Sequence, residues 1–288
     1  MTGIVFKILA DKFWVMANGN QYICTAKGTL KYNGILVGDK VIFSENENNI
    51  IEVLTRKNSL IRPPLANLDK LIIVISSVPE PDFMIVDKLI LFSLSYGIEP
   101  VLVVNKIDIS KELSLYVKNT YKDAVKSIIF TNAISGYGLD ELIAVMRNNL
   151  CAFAGQSAVG KSALVNKIMK RHSSEVGEIS IKNQKGKNTT RHCEIFFEDE
   201  IMITDTAGFT SLDEKLLPIS YFELPYYYND FLKYLDGCKY KSCAHINEKV
   251  EECAVKRAVL SNKIDKDRFL RYKEIYNKLY EKWVKTHG

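Results

Sequence analysis

The sequence predicts a multidomain protein with an N-terminal β-barrel, a central α/β domain and a C-terminal, mainly helical domain that binds a metal. Five short apolar runs, separated by turn residues, occupy roughly the first 60 residues. Near-continuous apolar runs then alternate with helical patterns, which is typical of a parallel sheet. Three cysteines and one histidine cluster near the C-terminus. We place the three domains at residues 1–61, 62–217 and 218–288.

Composition limits the class of protein. The 288 residues, 47% of them hydrophobic, suffice for two or three compact units. The net charge of +5 suits an RNA partner and equally suits an enzyme with solvated lysines. No apolar run reaches the ~20 residues of a membrane span, and Met1-Thr2-Gly3-Ile4 does not resemble a secretory signal. We therefore expect a cytoplasmic protein whose Cys24, Cys151 and Cys193 are packed thiols.

The first domain is predicted to be a small barrel. Its candidate strands are Val5–Leu9, Phe13–Met16, Gln21–Thr25, Lys40–Phe43 and Ile50–Leu54. Asn18-Gly19 and Asn33-Gly34 supply the positive φ angles that tight hairpins need. An OB-fold, which presents a strand face and loops to oligonucleotides, fits best, and an SH3-like barrel is the alternative.

A linker is predicted at Arg62-Pro63-Pro64, because two prolines interrupt regular structure. Buried strands and a helix follow it. They are predicted at Leu71–Ile75, Phe83–Tyr96 (the helix), Val101–Val104 and Ser127–Phe130. Strands of this kind form a parallel sheet covered by helices on both faces.

The strongest motif is a phosphate loop between a predicted strand, Leu150–Ala154, and a predicted helix, Ser162–Met169. Its residues are Gly155, Gln156, Ser157, Ala158, Val159, Gly160, Lys161 and Ser162. The glycines let the backbone wrap around phosphates, the lysine reaches the β and γ oxygens, and the final serine ligates Mg²⁺. Ala163 is expected to donate its amide to the α-phosphate.

A second motif selects the base. It consists of Asn105, Lys106, Ile107 and Asp108, directly after a predicted strand. Asp108 can accept hydrogen bonds from guanine N1 and the exocyclic amine, while Lys106 covers the base and Asn105 braces the loop. Adenine offers no such pair of donors, so an ATP site would require Asp108 to be irrelevant. The Ala133 amide is a further candidate contact to guanine.

Two switch segments are predicted. Asp205-Thr206-Ala207-Gly208 follows the strand Ile201–Thr204, which places Asp205 near Mg²⁺ and Gly208 near the γ-phosphate. Upstream, Thr190, or alternatively Thr189, is expected to close its hydroxyl on Mg²⁺ when GTP is bound. Phe209 stands where many GTPases have a glutamine that orients water. We therefore predict slow intrinsic hydrolysis that a partner accelerates.

The order of these motifs is rotated. In an ordinary GTPase the phosphate loop precedes the Asn-Lys-x-Asp element, whereas here Asn105 to Asp108 precede Gly155 to Ser162. This arrangement is a circular permutation, which a packed core tolerates when the original termini lie close together. The γ-phosphate sensor at Asp205 now leads directly into the C-terminal domain.

That domain contains Cys238, Cys243, His245 and Cys253, a ligand set that matches a closed structural zinc site. A helical pattern follows over Asp267–Tyr280. Its apolar stripe is expected to pack against the protein and consists of Phe269, Tyr272, Ile275, Tyr276 and Leu279. Arg271, Lys273 and Lys278 are predicted to leave a basic outer face that meets RNA or only water.

Together, these features resemble the ribosome small subunit-dependent GTPase A family over nearly the whole chain. The resemblance is carried by Val37–Val41, Arg62–Asp69, Gly155–Ser162, Asp205–Phe209 and Cys253–Val255. It implies a GTP hydrolase that uses GTP, GDP, Mg²⁺ and one structural Zn²⁺. It also implies a monomer that docks on the 30S subunit and 16S rRNA near the decoding region, alongside other assembly factors, hydrolyses GTP there and leaves.

Two departures from the family pattern bear on function. Asn188 stands where the family usually carries a histidine proposed to help catalysis, so the catalytic group among Asn188, Thr190 and Phe209 stays unassigned. Seven residues separate His245 from Cys253, more than the family usually has. The alternative function is a nucleotide-gated adaptor for another RNA or protein, such as the large subunit, with hydrolysis incidental.

Overall fold

A computed structural model describes residues 1–26, 28, 30, 34–170, 193–204 and 217–287. The N-terminal part is a closed barrel with the strand order β1-β2-β3-β5-β4. Its strands are β1 (Thr2–Leu9), β2 (Lys12–Ala17), β3 (Asn20–Ala26), β4 (Lys40–Ser44) and β5 (Asn49–Val53). The parallel pairing of β3 with β5 closes the barrel in a Greek-key order. This order confirms the OB-fold prediction over the SH3-like alternative.

Only one of the two predicted hairpin turns is present. Asn18 and Gly19 have φ angles of 49° and 77°, and Ala17 pairs with Asn20, so this is a two-residue turn with both central φ angles positive. The tight hairpin predicted at Asn33-Gly34 is wrong, because β3 pairs with β5 and the chain crosses over before β4. Gly34 keeps a positive φ of 65°, and Asn33 lies outside the described residues.

The predicted linker is instead the turn of a short hairpin. Strands β6 (Ser59–Leu60) and β7 (Leu65–Ala66) pair across Arg62-Pro63-Pro64. This hairpin packs against the barrel, since the Asn67 side chain donates to Gly38 O at 2.9 Å. A Cβ at Gly38, where φ is 89°, would lie 2.0 Å from Ala66 O. The glycine therefore allows the barrel and the next domain to touch.

The central domain has a six-stranded sheet in the order β10-β9-β8-β11-β13-β12. The strands are β8 (Lys70–Ile75), β9 (Glu99–Val104), β10 (Ser127–Phe130), β11 (Leu150–Ala154), β12 (Ile195–Glu198) and β13 (Ile201–Thr204). All pairs are parallel except β12 with β13. Strand β12 was not predicted. It lies at the edge of the sheet, where a short strand leaves little sequence signal.

Helices cover both faces of this sheet, as predicted. They are α1 (Phe83–Ser95), α2 (Lys111–Tyr121), α3 (Leu139–Met146) and α4 (Lys161–Lys170). Along β8, Leu71 and Ile73 join one buried cluster with Leu89 of α1. The intervening Ile72 joins a second cluster with Leu164 of α4. The sequence did not predict α2 or α3.

The C-terminal part is helical. It contains α5 (Asn229–Leu235), α6 (Ala254–Leu260) and α7 (Lys266–His287), with short 3-10 helices at Leu224–Tyr227 and Val250–Glu252. The predicted stripe of α7 is confirmed, since Tyr272 and Ile275 are at most 2% exposed. The prediction for Arg271 is wrong, because its side chain turns inward to pair with Asp87. No helix in the described part of the chain is long and apolar enough to cross a membrane.

Candidate nucleotide and metal sites

The phosphate loop joins β11 to α4 and is pressed against its neighbours. Gly155 has a φ of 123°, and a Cβ there would lie 2.2 Å from Val74 O of β8. Gly160 has a φ of 101°, and a Cβ there would lie 2.2 Å from the Asn105 side-chain nitrogen. Both glycines are thus required by backbone geometry and by close approach. The loop between them leaves Ser157 and Ala158 exposed and Val159 buried.

Lys161 lies across this loop. Its Nζ donates to Gly155 O at 2.8 Å and to Gln156 O at 2.6 Å. Desolvation lowers the pKa of this half-buried lysine. Ser162 and Ala163 occupy the first turn of α4, where the N–H groups have no partner inside the helix. These groups and the ammonium form one positive end, which suits a polyphosphate.

The Asn105 side chain ties three loops together. Its Nδ2 donates to Val159 O of the phosphate loop at 3.0 Å. Its Oδ1 accepts from Thr131 Oγ1 and from the Ala133 amide, both at 3.2 Å. The Ala133 amide, the further candidate for guanine, therefore already has a partner in Asn105.

Lys106 and Asp108 extend from the same turn. Lys106 has a φ of 58°, and its Nζ donates to Val78 O at 2.6 Å and to Ala158 O at 2.8 Å. The partly buried Ile107 packs into the core and anchors the turn. The exposed Asp108 accepts a 2.7 Å hydrogen bond from Asn132 Nδ2 at one carboxylate oxygen. The turn thus presents an oriented carboxylate beside the phosphate loop.

Asn132 is a site residue that the sequence reasoning did not single out. Its Oδ1 accepts from the Ile134 and Ser135 amides at 2.8 and 3.1 Å, so the side chain caps its own turn while it holds Asp108. Such turns are typical of asparagine. The only available signal was an asparagine two positions after the end of the predicted strand Ser127–Phe130.

The segment before α1 also contacts the phosphate loop. Gln156 Oε1 accepts from the Asp82 amide at 2.9 Å, and its Nε2 donates to Glu80 O at 3.2 Å. Asp82 in turn caps α1 by accepting from the amides of Met84 and Ile85. These contacts attach α1 to the candidate nucleotide site, and the sequence did not predict them.

The predicted switch residues lie outside the described residues. They are Asn188, Thr189, Thr190, Asp205, Gly208 and Phe209. Strand β13, which leads to Asp205, ends at Thr204 and pairs with β11, the strand that leads to the phosphate loop.

The four predicted metal ligands come together. One ligand atom from each of Cys238, Cys243, His245 and Cys253 lies within 4.8 Å of the others. His245 Nδ1 is 3.2, 3.3 and 3.8 Å from the sulfurs of Cys243, Cys253 and Cys238. Tetrahedral zinc, with its usual bond lengths, separates nitrogen and sulfur ligands by about 3.5 Å. The residues therefore fit a closed structural ion, and the seven-residue spacing does not prevent it.

Burial sets the protonation of these ligands. It lowers the pKa of His245 to about 4, with Glu248 acting in the opposite direction, so the imidazole is neutral, as metal binding requires. Burial also raises the pKa of the Cys243 and Cys253 thiols. A bound divalent cation would supply the positive charge that thiolates need there.

A buried charge cluster joins the central domain to the C-terminal helices. Arg268 of α7 is 1% exposed and pairs with Asp87 of α1 and Asp230 of α5. Its guanidinium lies between the rings of Tyr121 and Tyr228, 4.9 and 4.8 Å from their centroids. Burial lowers the pKa of Arg268, but Asp230, Asp87, Tyr121 and Tyr228 together raise it, so the net shift is upward. Burial raises the pKa of Asp87, and Arg268 and Arg271 act in the opposite direction.

Comparison with known proteins identifies the family. The model of the RsgA GTPase family matches residues 53–215. A small ribosomal subunit biogenesis GTPase RsgA from Ruminiclostridium cellulolyticum is 35% identical, over 96% of this chain and 93% of its own. The protein of the same name from Geobacillus kaustophilus is 36% identical, over 94% of each chain.

Solved structures agree. YjeQ from Thermotoga maritima matches with a TM-score of 0.80 and 28% identity over 97% of this chain and 98% of its own. YloQ, described as a circularly permuted GTPase, matches with a TM-score of 0.79 and 26% identity over 98% and 95%. These matches confirm the predicted fold class and a GTP hydrolase that uses GTP, GDP and Mg²⁺. The chain belongs to the RsgA GTPase family.

Proposed function

We propose that this protein binds the small (30S) ribosomal subunit, assists its late maturation and hydrolyses GTP to GDP and phosphate when the subunit stimulates it. The relatives are small ribosomal subunit biogenesis GTPases, which supports the small subunit as the partner. The observation that carries the GTPase site is the Asn105 bridge, which holds the base-reading turn against the phosphate loop. The protein acts as a cytoplasmic monomer on 16S rRNA, together with other assembly factors.

The proposed nucleotide site includes residues that the structure describes and others that lie outside the described ranges. Its members are Asn105, Lys106, Ile107, Asp108, residues 155–163, Asp205 and Gly208, with Ser162 and Thr190 as Mg²⁺ ligands. Asn132 occupies one carboxylate oxygen of Asp108, and the other oxygen has no hydrogen-bond partner among the described residues. Asp108 can therefore accept hydrogen bonds from the guanine edge. Lys161 and the first turn of α4 neutralise phosphate charge. The barrel (1–61), the GTPase domain (62–217) and the zinc-binding domain (218–288) then act as one nucleotide-controlled unit.

The zinc-binding domain contributes structure. Its four candidate ligands would fill a tetrahedron and leave no open position for water, so the ion would fold the domain and take no part in hydrolysis. We propose Zn²⁺ as the ion because three thiolates and one imidazole form a typical structural zinc set.

Hydrolysis is expected to be slow without a partner. Asn188 and Phe209 cannot act as a general base, and a phenyl ring cannot orient water. We propose that the ribosomal subunit supplies or repositions the missing group. The same departures favour the alternative of a nucleotide-gated adaptor, in which hydrolysis is incidental.

One experiment separates the two functions. GTP turnover by the purified protein is measured alone, with 30S subunits and with 50S subunits, and ATP serves as the nucleotide control. We expect slow turnover by the protein alone and strong stimulation by 30S subunits only. GTP binding without any stimulation would favour the adaptor.

A further inference from the structure

Glu248 lies in the segment between His245 and Cys253, which we call the ligand loop (residues 246–252). The half-buried Glu248 accepts a 2.8 Å hydrogen bond from the Ala244 amide at Oε1. Ala244 is the residue between the candidate ligands Cys243 and His245. The orientation of its backbone therefore sets how these two ligands face each other.

This backbone is held from both sides. The Ala244 carbonyl accepts a 2.6 Å hydrogen bond from the hydroxyl of the buried Tyr272 on α7. His245 itself has a φ of 61°, a left-handed conformation that is unfavourable for a residue with a Cβ. Such a conformation persists only where the surroundings hold it. Glu248 and Tyr272 provide that hold.

The ligand loop is itself fixed. Lys256 of α6 donates from Nζ to Ile246 O at 2.8 Å and to Glu248 O at 2.6 Å. The backbone amide of Lys256 also donates a 3.4 Å hydrogen bond to Cys253 Sγ. The lysine thus holds the loop against the helix that begins after the last candidate ligand, which keeps Glu248 beside Ala244.

Two buried polar atoms in this region have no hydrogen-bond partner among the described residues. They are His245 Nε2 and Glu248 Oε2. A metal at Nδ1 leaves the proton on Nε2, which then requires an acceptor. Metal-binding histidines usually donate that second N–H to a carboxylate, a carbonyl or a water.

We propose that Glu248 is a positioning residue for the metal site. One of its carboxylate oxygens sets the turn between Cys243 and His245, and the other accepts from the imidazole Nε2–H, directly or through one water, once the metal is bound. The long ligand loop is then the element that delivers this carboxylate. This inference rests on the proposed zinc site.

The test is zinc release from the full-length protein. Zinc transfer to a chromogenic chelator is followed for the wild type, Glu248→Ala, Glu248→Gln and Glu251→Ala. Glu251 is exposed on the same loop and serves as the matched control. Loss of an outer-shell partner typically weakens metal binding 10- to 100-fold. We expect release to be at least about tenfold faster from Glu248→Ala, intermediate from Glu248→Gln and unchanged from Glu251→Ala.

The outcomes are separable. Wild-type protein that holds no zinc would overturn the zinc site itself. Zinc-loaded wild type and Glu248→Ala that release at the same rate would overturn only the role of Glu248. If Glu248→Ala does not fold, Tyr272→Phe tests the other hold on Ala244. The role of Glu248 is then decided by Glu248→Gln: faster release than from Glu251→Ala supports the proposal, and equal release rates contradict it.

Discussion

The nucleotide site and the buried charge cluster both assemble distant parts of the chain, but they do so by different means. In the nucleotide site, backbone turns position the residues, and the Asn105 side chain links these turns by donating to Val159 O and accepting from the Ala133 amide. In the cluster, the Arg268 side chain meets Asp87, 181 positions away, and no local pattern marks either residue. Turns that contain a sequence motif can therefore be predicted from the sequence, whereas long-range pairs of side chains cannot.

The two regions also differ in exposure. Asp108 is exposed and is available to a ligand, whereas Arg268 and Asp87 are at most 1% exposed. Loss of the first should reduce binding and leave folding intact. Loss of the Arg268–Asp87 pair should reduce folding stability, and it should affect nucleotide binding only indirectly, through α1.

The largest expected effect is on stability. Arg268→Met leaves Asp87 and Asp230 buried without their main counter-charge, which typically costs about 3–5 kcal/mol. We expect a loss of that size in the free energy of unfolding, measured in urea. Lys278→Met on the same helix breaks an exposed pair with Glu274 and should cost less than about 0.5 kcal/mol. Equal losses for the two variants would show that the cluster has no special role.

The second effect is on base selection. Asp108→Asn removes the charged acceptor for guanine, and a hydrogen bond to a charged group contributes about 1.5–3 kcal/mol. We expect GTP affinity to fall about 10- to 150-fold in a fluorescent-nucleotide titration, with an unchanged free energy of unfolding. The variant should bind xanthosine triphosphate more tightly than the wild type does, because the C2 carbonyl of xanthine can accept a hydrogen bond from the new side-chain amide. Asp11→Asn, an exposed substitution on the barrel, is the control. If Asp108→Asn and Asp11→Asn bound GTP with the same affinity, Asp108 would not be part of the site.

A smaller effect on base selection is expected at Asn132, which contacts Asp108. Asn132→Ala leaves Asp108 in place but removes the 2.7 Å hydrogen bond that orients it, which is worth about 1 kcal/mol. GTP affinity should therefore fall about fivefold, and the preference for GTP over inosine triphosphate should narrow. Asn119→Ala, exposed on α2, should change neither quantity. If Asn132→Ala also changed neither, Asp108 would be oriented by its own turn.

Sequence reasoning succeeded where local physics decides the structure. The barrel strands, the Asn18-Gly19 turn, β11 with its glycine loop and the packed stripe of α7 all follow from short-range patterns. It failed where tertiary contacts decide. Arg271 fits a solvated helix face by spacing, yet Asp87 draws it inward, and Asn33-Gly34 has hairpin residues but no adjacent strand pair.

The candidate sites show the same division. The glycine loop and the four candidate metal ligands were predicted from motif spacing, and the structure brings each set together. Asn132, Gln156 as a contact to α1, and Glu248 act through hydrogen bonds to residues that other elements position. Such roles become visible only when the fold has brought the partners together.

The central claim is that Asp108 selects the nucleotide whose hydrolysis the 30S subunit stimulates. The most direct measurement is turnover by Asp108→Asn on 30S subunits, with GTP and xanthosine triphosphate compared at one subsaturating concentration. We expect 30S subunits to stimulate hydrolysis of xanthosine triphosphate by the variant, GTP turnover by the variant to fall, and the wild type to show the opposite preference. Unchanged preference for GTP in the variant, with stimulation intact, would contradict it.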